Sequence, residues 1–330
     1  MLKHRTLGHQ GLEVAELGLG TMGMTAFYGS GGGKDDHIAV IRRAHELGVT
    51  LFDTAELYNR GTGANEMLLG EAVKPFRGEV TIATKFGFRY DDAGNSVGPD
   101  SSPARIRQVA ENSLRYLQTD VIDVFYQHRP DPTVPVEDVA GTVKELIAEG
   151  KVRYFGLSES GPETLRRAHA VQPVSVLQTE YSIFERDVED AVLPTVRELG
   201  IGFVPYSPLG RGFLTSAVKP ADEYDETDFR RHSPRWQGDN FLKNKRAIDE
   251  LSQLASEKGI TPAQLALAWL LAQGDDIVPI PGTRSIGRLE ENLGAADVSL
   301  TEEDLARIHA IVPTGAYGAR YAEGRMPVWV

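Results

Sequence analysis

The sequence contains no cysteine among its 330 residues. That absence excludes disulfide bonds, thiolate ligands for zinc and cysteine nucleophiles. The chain also lacks any apolar run of about 18 residues, so no transmembrane helix is predicted. The first residues, MLKHRTLGHQG, contain no apolar segment of the kind found in signal peptides. These absences predict a cytoplasmic protein.

Positive charge is scarce as well. The chain has 35 Lys and Arg residues against 47 Asp and Glu, which gives a formal net charge of −12. An acidic surface repels nucleic acid and anionic membranes, so neither is expected as a partner. Hydrophobic residues make up 41% of the chain, which is ordinary for a globular protein. We therefore expect a small-molecule ligand, and assembly into a homo-oligomer stays open.

Apolar, β-branched segments alternate with helical patterns along the chain. The strand candidates are residues 16–21, 49–55, 80–85, 121–128, 152–158, 175–181, 202–208 and 276–283. Such alternation favours a parallel sheet, and eight units favour a (β/α)8 TIM barrel, whose usual size is about 250 residues. Residues 4–17 predict a β-hairpin ahead of the barrel. We predict a single domain over residues 1–330.

Three connections are longer than ordinary loops. Residues 22–35, 86–103 and 209–240 each follow the carboxyl end of a candidate strand. Long loops in compact domains usually have a function, and barrel enzymes keep their active sites at this end of the strands. The three segments are therefore expected to surround a site.

Polar residues stand at the ends of the candidate strands, where a barrel strand is otherwise apolar. They are Thr21, Asp53, Lys85, His128, Ser158, Gln178, Tyr206, Ser207 and, directly after Gly282, Thr283. One such residue alone is more often structural than functional. Asp53, Lys85 and His128 on adjacent strands, with Tyr58 close behind Asp53, indicate a catalytic site.

These four groups make chemical sense together. A tyrosine hydroxyl has an ordinary pKa of about 10, and a nearby ammonium lowers it. Lys85 can supply that ammonium and Asp53 can hold it. His128 can donate a hydrogen bond to a carbonyl oxygen. Tyr58 can then protonate this oxygen as hydride reaches the carbon.

Other interpretations fit the residues less well. GLGTMG at residues 18–23 has the G-x-G-x-x-G spacing of dinucleotide-binding folds, but a glycine-rich loop follows it instead of a helix. YGSGGGKDD at 28–36 lacks the spacing of a phosphate-binding loop and is expected to form a flap. A metal-dependent hydrolase would need more histidines at the rim than His128, so we expect no metal.

The segments DTAELY, IATK and YQHR, which contain Asp53, Tyr58, Lys85 and His128, resemble the catalytic tetrad of the aldo-keto reductase superfamily. GLGTMGM, GLSE, YSPLGRGFL and IPGTRSIGRLEENLGA extend the resemblance over nearly the whole chain. Within the superfamily, this sequence is similar to a bacterial and plant branch with TMGM and HRxDP motifs. The resemblance implies reduction of aldehydes and ketones to alcohols with NADPH, which binds extended across the barrel mouth.

The resemblance also implies a cofactor site. Tyr206 would stack on the nicotinamide, Ser158 and Gln178 would contact its carboxamide, and Arg288, with Glu291 and Asn292, would hold the adenosine end. The residue pattern agrees, because Arg284 and Arg288 lie a turn apart at the start of a predicted helix and suit a 2′-phosphate. The other residues assigned to this site are Thr21, Met22, Asp53, Ser207, Leu209, Gly210, Gly212, Gly282 and Thr283. One departure is notable: many members have Ser-Asn after strand five, and this chain has Ser158-Glu159, which leaves Glu159 without an assigned role.

Aromatic residues of the long loops and the tail are expected to wall the substrate pocket. The assigned residues are Tyr28, Phe86, Phe88 and Trp236, with Phe27, Tyr317, Tyr321 and Trp329 as further candidates. The substrate would be a small carbonyl compound. A different class of function stays open, because the same fold also serves as a nucleotide-sensing regulatory subunit of potassium channels.

Overall fold

A computed structural model describes residues 2–28, 31–91, 93–215 and 217–322. The chain begins with an antiparallel hairpin of β1 (His4–Leu7) and β2 (Leu12–Ala15), as the sequence predicts. Leu7, Leu12 and Val14 are buried together with residues of the barrel interior, so the hairpin covers one end of the barrel. Arg5 fixes it there, because its guanidinium donates to the carbonyl oxygens of Gly274 and Ile277 at 2.6 and 2.7 Å.

The central sheet is parallel, and its seven strands follow one another in chain order. They are β3 (Leu19–Gly20), β4 (Leu51–Asp53), β5 (Thr81–Phe86), β8 (Ile122–Gln127), β9 (Val152–Ser158), β10 (Val174–Glu180) and β11 (Gly202–Tyr206). The loop after β5 contains a small antiparallel pair, β6 (Phe88–Tyr90) and β7 (Ser96–Pro99). That pair was not predicted from the sequence.

Residues 276–282 close the barrel as its eighth stave. Val278 donates to the Phe203 carbonyl at 2.9 Å on one side, and Gly18 donates to the Pro279 carbonyl at 2.9 Å on the other. Parallel bridges join Phe203 to Ile277 and Gly20 to Gly282. Pro279 and Pro281 have no N–H to donate, so the ladder stays interrupted here. The predicted (β/α)8 barrel is thus confirmed, with a last stave held by isolated bridges.

An outer layer of helices surrounds the barrel. Its members are α1 (Lys34–Glu46), α2 (Ala64–Val73), α3 (Pro103–Leu117), α4 (Val136–Ala148), α5 (Pro162–Val171), α6 (Val192–Glu198), α7 (Gly238–Glu257), α8 (Pro262–Leu271), α9 (Ile286–Leu293) and α10 (Glu302–Ile311). Helices α8 and α10 were not predicted from the sequence. Helix α8 is buried on almost every side, so it lacks the amphipathic pattern that marks a surface helix.

Short 3-10 turns occupy much of the rim and several helix ends. They cover Met22–Met24, Lys74–Glu79, Asp187–Glu189, Gly210–Gly212, Ala221–Glu223, Phe229–His232, Pro234–Trp236 and Gly294–Asp297. The turn at Met22–Met24 stands where a dinucleotide-binding fold would start its helix, and α1 begins only at Lys34. Among the described residues, no helix combines the length and apolarity needed to cross a membrane.

Candidate active site

Asp53 and Lys85 lie at the ends of the adjacent strands β4 and β5. The Lys85 ammonium nitrogen is 2.6 Å from Oδ1 of Asp53 and 2.8 Å from the Thr54 carbonyl oxygen. The other carboxylate oxygen of Asp53 accepts from the Gln178 amide at 2.7 Å. Burial lowers the pKa of Lys85, and the charge of Asp53 opposes that shift. The pair therefore keeps a cation in a place that water does not reach.

Tyr58 lies on the loop after β4, and its hydroxyl is 3.4 Å from the Lys85 ammonium nitrogen. Burial raises the pKa of Tyr58 well above its ordinary value, and the negative charge of Asp53 raises it further. The net shift is therefore upward, against our expectation of a lowered pKa, because burial and the charge of Asp53 outweigh the effect of the Lys85 ammonium. Tyr58 therefore stays protonated at neutral pH and can donate a proton.

His128 follows the last residue of β8. Its ring is 6.1 Å from the ring of Tyr58, nearly perpendicular to it, and 5.4 Å from the ring of Phe88. Burial lowers the pKa of His128 well below its usual range, and the nearby charges of Arg129 and Lys85 act in the same direction. The imidazole is therefore neutral and has one N–H to donate.

Asn65, on α2, connects the carboxyl ends of β3 and β4. Its side-chain oxygen accepts from the hydroxyls of Thr21 and Thr54, each at 2.6 Å, and its nitrogen donates to the Thr21 carbonyl at 3.0 Å. Thr21, assigned to the cofactor site from the sequence, is fully buried in this cluster and does not face the cavity. Sequence reasoning missed Asn65, although its position directly after the DTAELY loop placed it near the site.

A cavity of about 950 Å³ opens at this rim and runs from Tyr58 and His128 to the first turn of α9. Fourteen of the residues assigned to cofactor or substrate from the sequence line it beside Tyr58 and His128. These are Met22, Tyr28, Asp53, Gln178, Tyr206, Ser207, Leu209, Gly212, Gly282, Thr283, Arg284, Arg288, Glu291 and Asn292. The cavity is long and basic at its far end, so it fits an extended dinucleotide.

Helix α9 forms that far end. Ser285 caps it, with its hydroxyl accepting from the Arg288 N–H at 3.4 Å. Arg288 is exposed, and Arg284 donates to the Tyr28 carbonyl at 3.4 Å, so the loop after β3 rests against it. A helix N-terminus flanked by two guanidinium groups suits a phosphate.

The segment after β11 forms the side of the cavity between these two ends. Ser207, Gly210, Arg211 and Gly212 all have left-handed backbone, with φ of 49, 55, 60 and 92°. The Arg211 side chain is buried and donates to Glu180 at 2.7 Å. Arg211 lines the cavity beside Ser207 and Leu209, although the sequence analysis gave it no role.

Some assigned residues lie elsewhere. Phe86 packs on Phe125 in the layer between barrel and helices, and Trp236 packs on Phe213 at 4.8 Å, so neither lines the cavity. Phe88 contacts His128 but does not line the cavity. Ser158, Lys85 and Gly210 are buried and do not line it either. Phe27, Tyr28 and Tyr321 do line it, Tyr317 is exposed, and Trp329 lies outside the described residues.

Two charged residues near the reacting end had no role from the sequence. Arg129 lines the cavity and donates to the His128 carbonyl at 2.6 Å and to the Ser158 hydroxyl at 3.3 Å. Its place directly after His128 in YQHR was the available signal. Glu159 is buried and accepts two hydrogen bonds from Arg320 of the C-terminal tail. Within the described residues, no group of three or more His, Asp or Glu side chains could hold a metal ion.

Comparisons with known proteins agree with this geometry. Residues 16–313 match the model of the Aldo/keto reductase family, and the chain belongs to that family. Membership implies oxidoreductase activity on carbonyl compounds with a nicotinamide cofactor. A Glycine max protein described as probable aldo-keto reductase 1 is 46% identical over 320 residues, which are 96% of this chain and 91% of the relative.

Solved structures show the same fold. Glycerol dehydrogenase AKR11B4 from Gluconobacter oxydans is 29% identical, with a TM-score of 0.86 over 98% of both chains. The holo form of aldo-keto reductase AKR11C1 from Bacillus halodurans is 28% identical, with a TM-score of 0.81 over 99% of this chain and all of that one.

Proposed function

We propose that this protein reduces aldehydes or ketones to alcohols with NADPH, and that Tyr58 supplies the proton. One observation supports this most strongly: the Tyr58 hydroxyl lies at the cavity wall, 3.4 Å from the buried Lys85 ammonium and opposite the His128 ring. We further propose that residues 1–330 form one catalytic domain. Location in the cytoplasm stays a prediction from the sequence.

The lining of the cavity supports an extended place for the cofactor. Tyr206, with Gln178 nearby, would receive the nicotinamide, Ser207 and Leu209 would line the pyrophosphate, and Arg284 and Arg288 would hold the 2′-phosphate. When bound, the nicotinamide supplies the hydride that carbonyl reduction requires. The backbone around Ser207 and Gly210 curves in left-handed conformations, which lets main-chain groups approach a phosphate closely.

The residues of this chain supply the proton and the orientation. The neutral His128 donates its N–H to the carbonyl oxygen and fixes the substrate. Tyr58, whose raised pKa keeps it protonated, gives its proton to that oxygen as the negative charge develops. The phenolate that remains is stabilised by the Lys85 ammonium, and Asp53 holds Lys85 in place.

Exchanging Tyr58 for Phe tests the assignment. We expect carbonyl reduction to fall about 100- to 10,000-fold, the usual range for a lost general acid, while NADPH still binds. A panel of aldehydes and ketones, followed by NADPH absorbance, reports turnover, and fluorescence titration reports binding. Tyr154→Phe is the control, since that hydroxyl contacts Gly11 at the opposite end of the barrel.

Two outcomes would change the proposal. Wild-type turnover in the Tyr58→Phe variant would remove Tyr58 as the proton donor. A wild-type protein that binds NADPH tightly and reduces no carbonyl in the panel would favour the nucleotide-sensing regulatory subunit instead.

A further inference from the structure

Glu159 stands directly after β9, at a backbone conformation that glutamate rarely adopts. Its φ is 55°, in the left-handed region where glycine and asparagine are the usual residues. Strained positions of this kind persist where the surroundings hold them in place, and they cluster at functional sites. The Glu159 side chain is also fully buried. A buried carboxylate on a strained backbone calls for an account of what that carboxylate does.

The Glu159 carboxylate contacts Arg320 and Tyr206. Arg320 donates two hydrogen bonds to the Glu159 carboxylate, at 3.0 and 2.9 Å, in the planar fork geometry that holds both groups rigidly. The hydroxyl of Tyr206 donates to the same carboxylate at 2.8 Å. Arg320 is 3% exposed, so the ion pair lies away from water. One side chain thus joins a cavity-wall tyrosine to a residue 161 positions later in the chain.

The tail around Arg320 is anchored at several further points. We call residues 317–322 the tail segment. Asn244 binds the backbone of Tyr317, with 2.9 Å to its carbonyl oxygen and 2.8 Å to its nitrogen. Arg211 donates to the Arg320 carbonyl at 2.8 Å. The Tyr321 hydroxyl is 3.0 Å from that of Tyr206, and Tyr321 lines the cavity.

We propose that Glu159 is a positioning residue, which orients the ring of Tyr206 in the cavity only when Arg320 holds the tail segment in place. The Tyr206 hydroxyl meets Glu159 and Tyr321 at once, so the ring is fixed from the strand side and from the tail side. Removing the charge of the Glu159 carboxylate releases both the ring of Tyr206 and the tail segment. This inference rests on the proposed function in one respect, namely that Tyr206 receives the nicotinamide.

The first test measures the tail without cofactor or substrate. Trypsin cleaves after Arg320, and intact mass reports the rate. We expect the wild type to be protected and Glu159→Gln to be cleaved at least about tenfold faster, because cleavage follows local opening of the segment. Arg320→Lys keeps the charge and a trypsin site but loses the fork, so its rate should be intermediate. Glu257→Gln is the matched control, since it loses an exposed pair with Arg307.

The second test measures the cavity. Fluorescence titration should show NADPH binding weakened about tenfold in Glu159→Gln, a change of about 1.4 kcal/mol, and unchanged in Glu257→Gln. Arg320→Lys should bind NADPH with an intermediate affinity.

The outcomes separate cleanly. Equal cleavage rates in the wild type and Glu159→Gln would overturn the link between Glu159 and the tail. Faster cleavage with unchanged NADPH affinity would overturn the positioning of Tyr206. If the wild type bound no dinucleotide, the proposed function would fail, whereas the cleavage rates would still report on the link.

Discussion

The ammonium nitrogen of Lys85 lies 2.6 Å from Oδ1 of Asp53, and their side chains are 0% and 4% exposed. Both side chains are almost fully buried, so each charge has lost most of its hydration and is compensated by the other. The same ammonium lies 3.4 Å from the Tyr58 hydroxyl. The pair is therefore both a fixture of the barrel rim and the electrostatic support of the proposed proton donor.

Replacing Asp53 with Asn should destabilise the protein by about 3–5 kcal/mol, because it leaves the Lys85 charge buried and unpaired. Urea unfolding at neutral pH measures the free energy of unfolding. The double variant with Lys85→Met should lose less than the sum of the single losses, since the two residues are in contact. Asp249→Asn, which removes an exposed pair with Lys245, should change stability by less than about 1 kcal/mol. A similar loss in both single Asn variants would contradict this account.

The pH dependence of stability should show the depressed pKa of His128. Its folded pKa lies well below the ordinary value of 6.5 because of burial and the charges of Arg129 and Lys85. As pH falls below 6.5, the unfolded chain takes up a proton that the folded chain does not, so stability falls, by up to about 1.4 kcal/mol per pH unit. His128→Asn should lose that part of the slope between pH 6.5 and 5. His232→Asn is the control for loss of a histidine, and an unchanged slope in His128→Asn would refute the prediction.

The packing of the β1–β2 hairpin on the end of the barrel should be sensitive to substitution of Gly202. A β-carbon at this position would stand 2.6 Å from Leu7 Cβ and 2.7 Å from Leu7 Cα, so Gly202→Ala forces the hairpin outward. We expect a loss of about 1–3 kcal/mol in unfolding free energy. Gly141→Ala is the matched control, because no atom lies within 4 Å of a β-carbon added there. Alanine is also more favourable than glycine in the interior of α4, by up to about 1 kcal/mol. Equal stability of the two variants would show that displacement of the hairpin costs no stability, and the prediction would be wrong.

The sequence predicted the barrel and the reacting end of the site because both depend on local pattern. Strand–helix alternation marks the staves, and Asp53, Lys85 and His128 interrupt apolar segments where strands end. The eighth stave was also predicted from its apolar residues, although Pro279 and Pro281 reduce it to isolated bridges. Helix α8 was harder to recognise, because a helix buried on nearly all sides has no polar face to set its period.

Phe86 and Glu159 differ in how far local pattern could have indicated their surroundings. Phe86 follows Lys85 in β5, and successive side chains of a strand point to opposite faces. Because Lys85 points to the barrel rim, Phe86 must point to the helices, so this error was avoidable from the sequence. By contrast, the ion pair of Glu159 with Arg320 joins segments that are distant in the sequence, and no local pattern indicates it.

Cofactor preference should depend on Arg288, which lines the cavity at the first turn of α9. Arg288→Ala should weaken NADPH binding about 10- to 100-fold, because it removes a charged hydrogen-bond donor from the proposed 2′-phosphate site. NADH lacks that phosphate, so its dissociation constant should change less than about threefold. Fluorescence titration with both dinucleotides makes the comparison. Arg43→Ala is a suitable control, since Arg43 pairs with Glu290 on the same helix at 2.8 Å without lining the cavity. Equal losses for NADPH and NADH would mean that Arg288 acts on the shared part of the two dinucleotides, and the 2′-phosphate assignment would then be wrong.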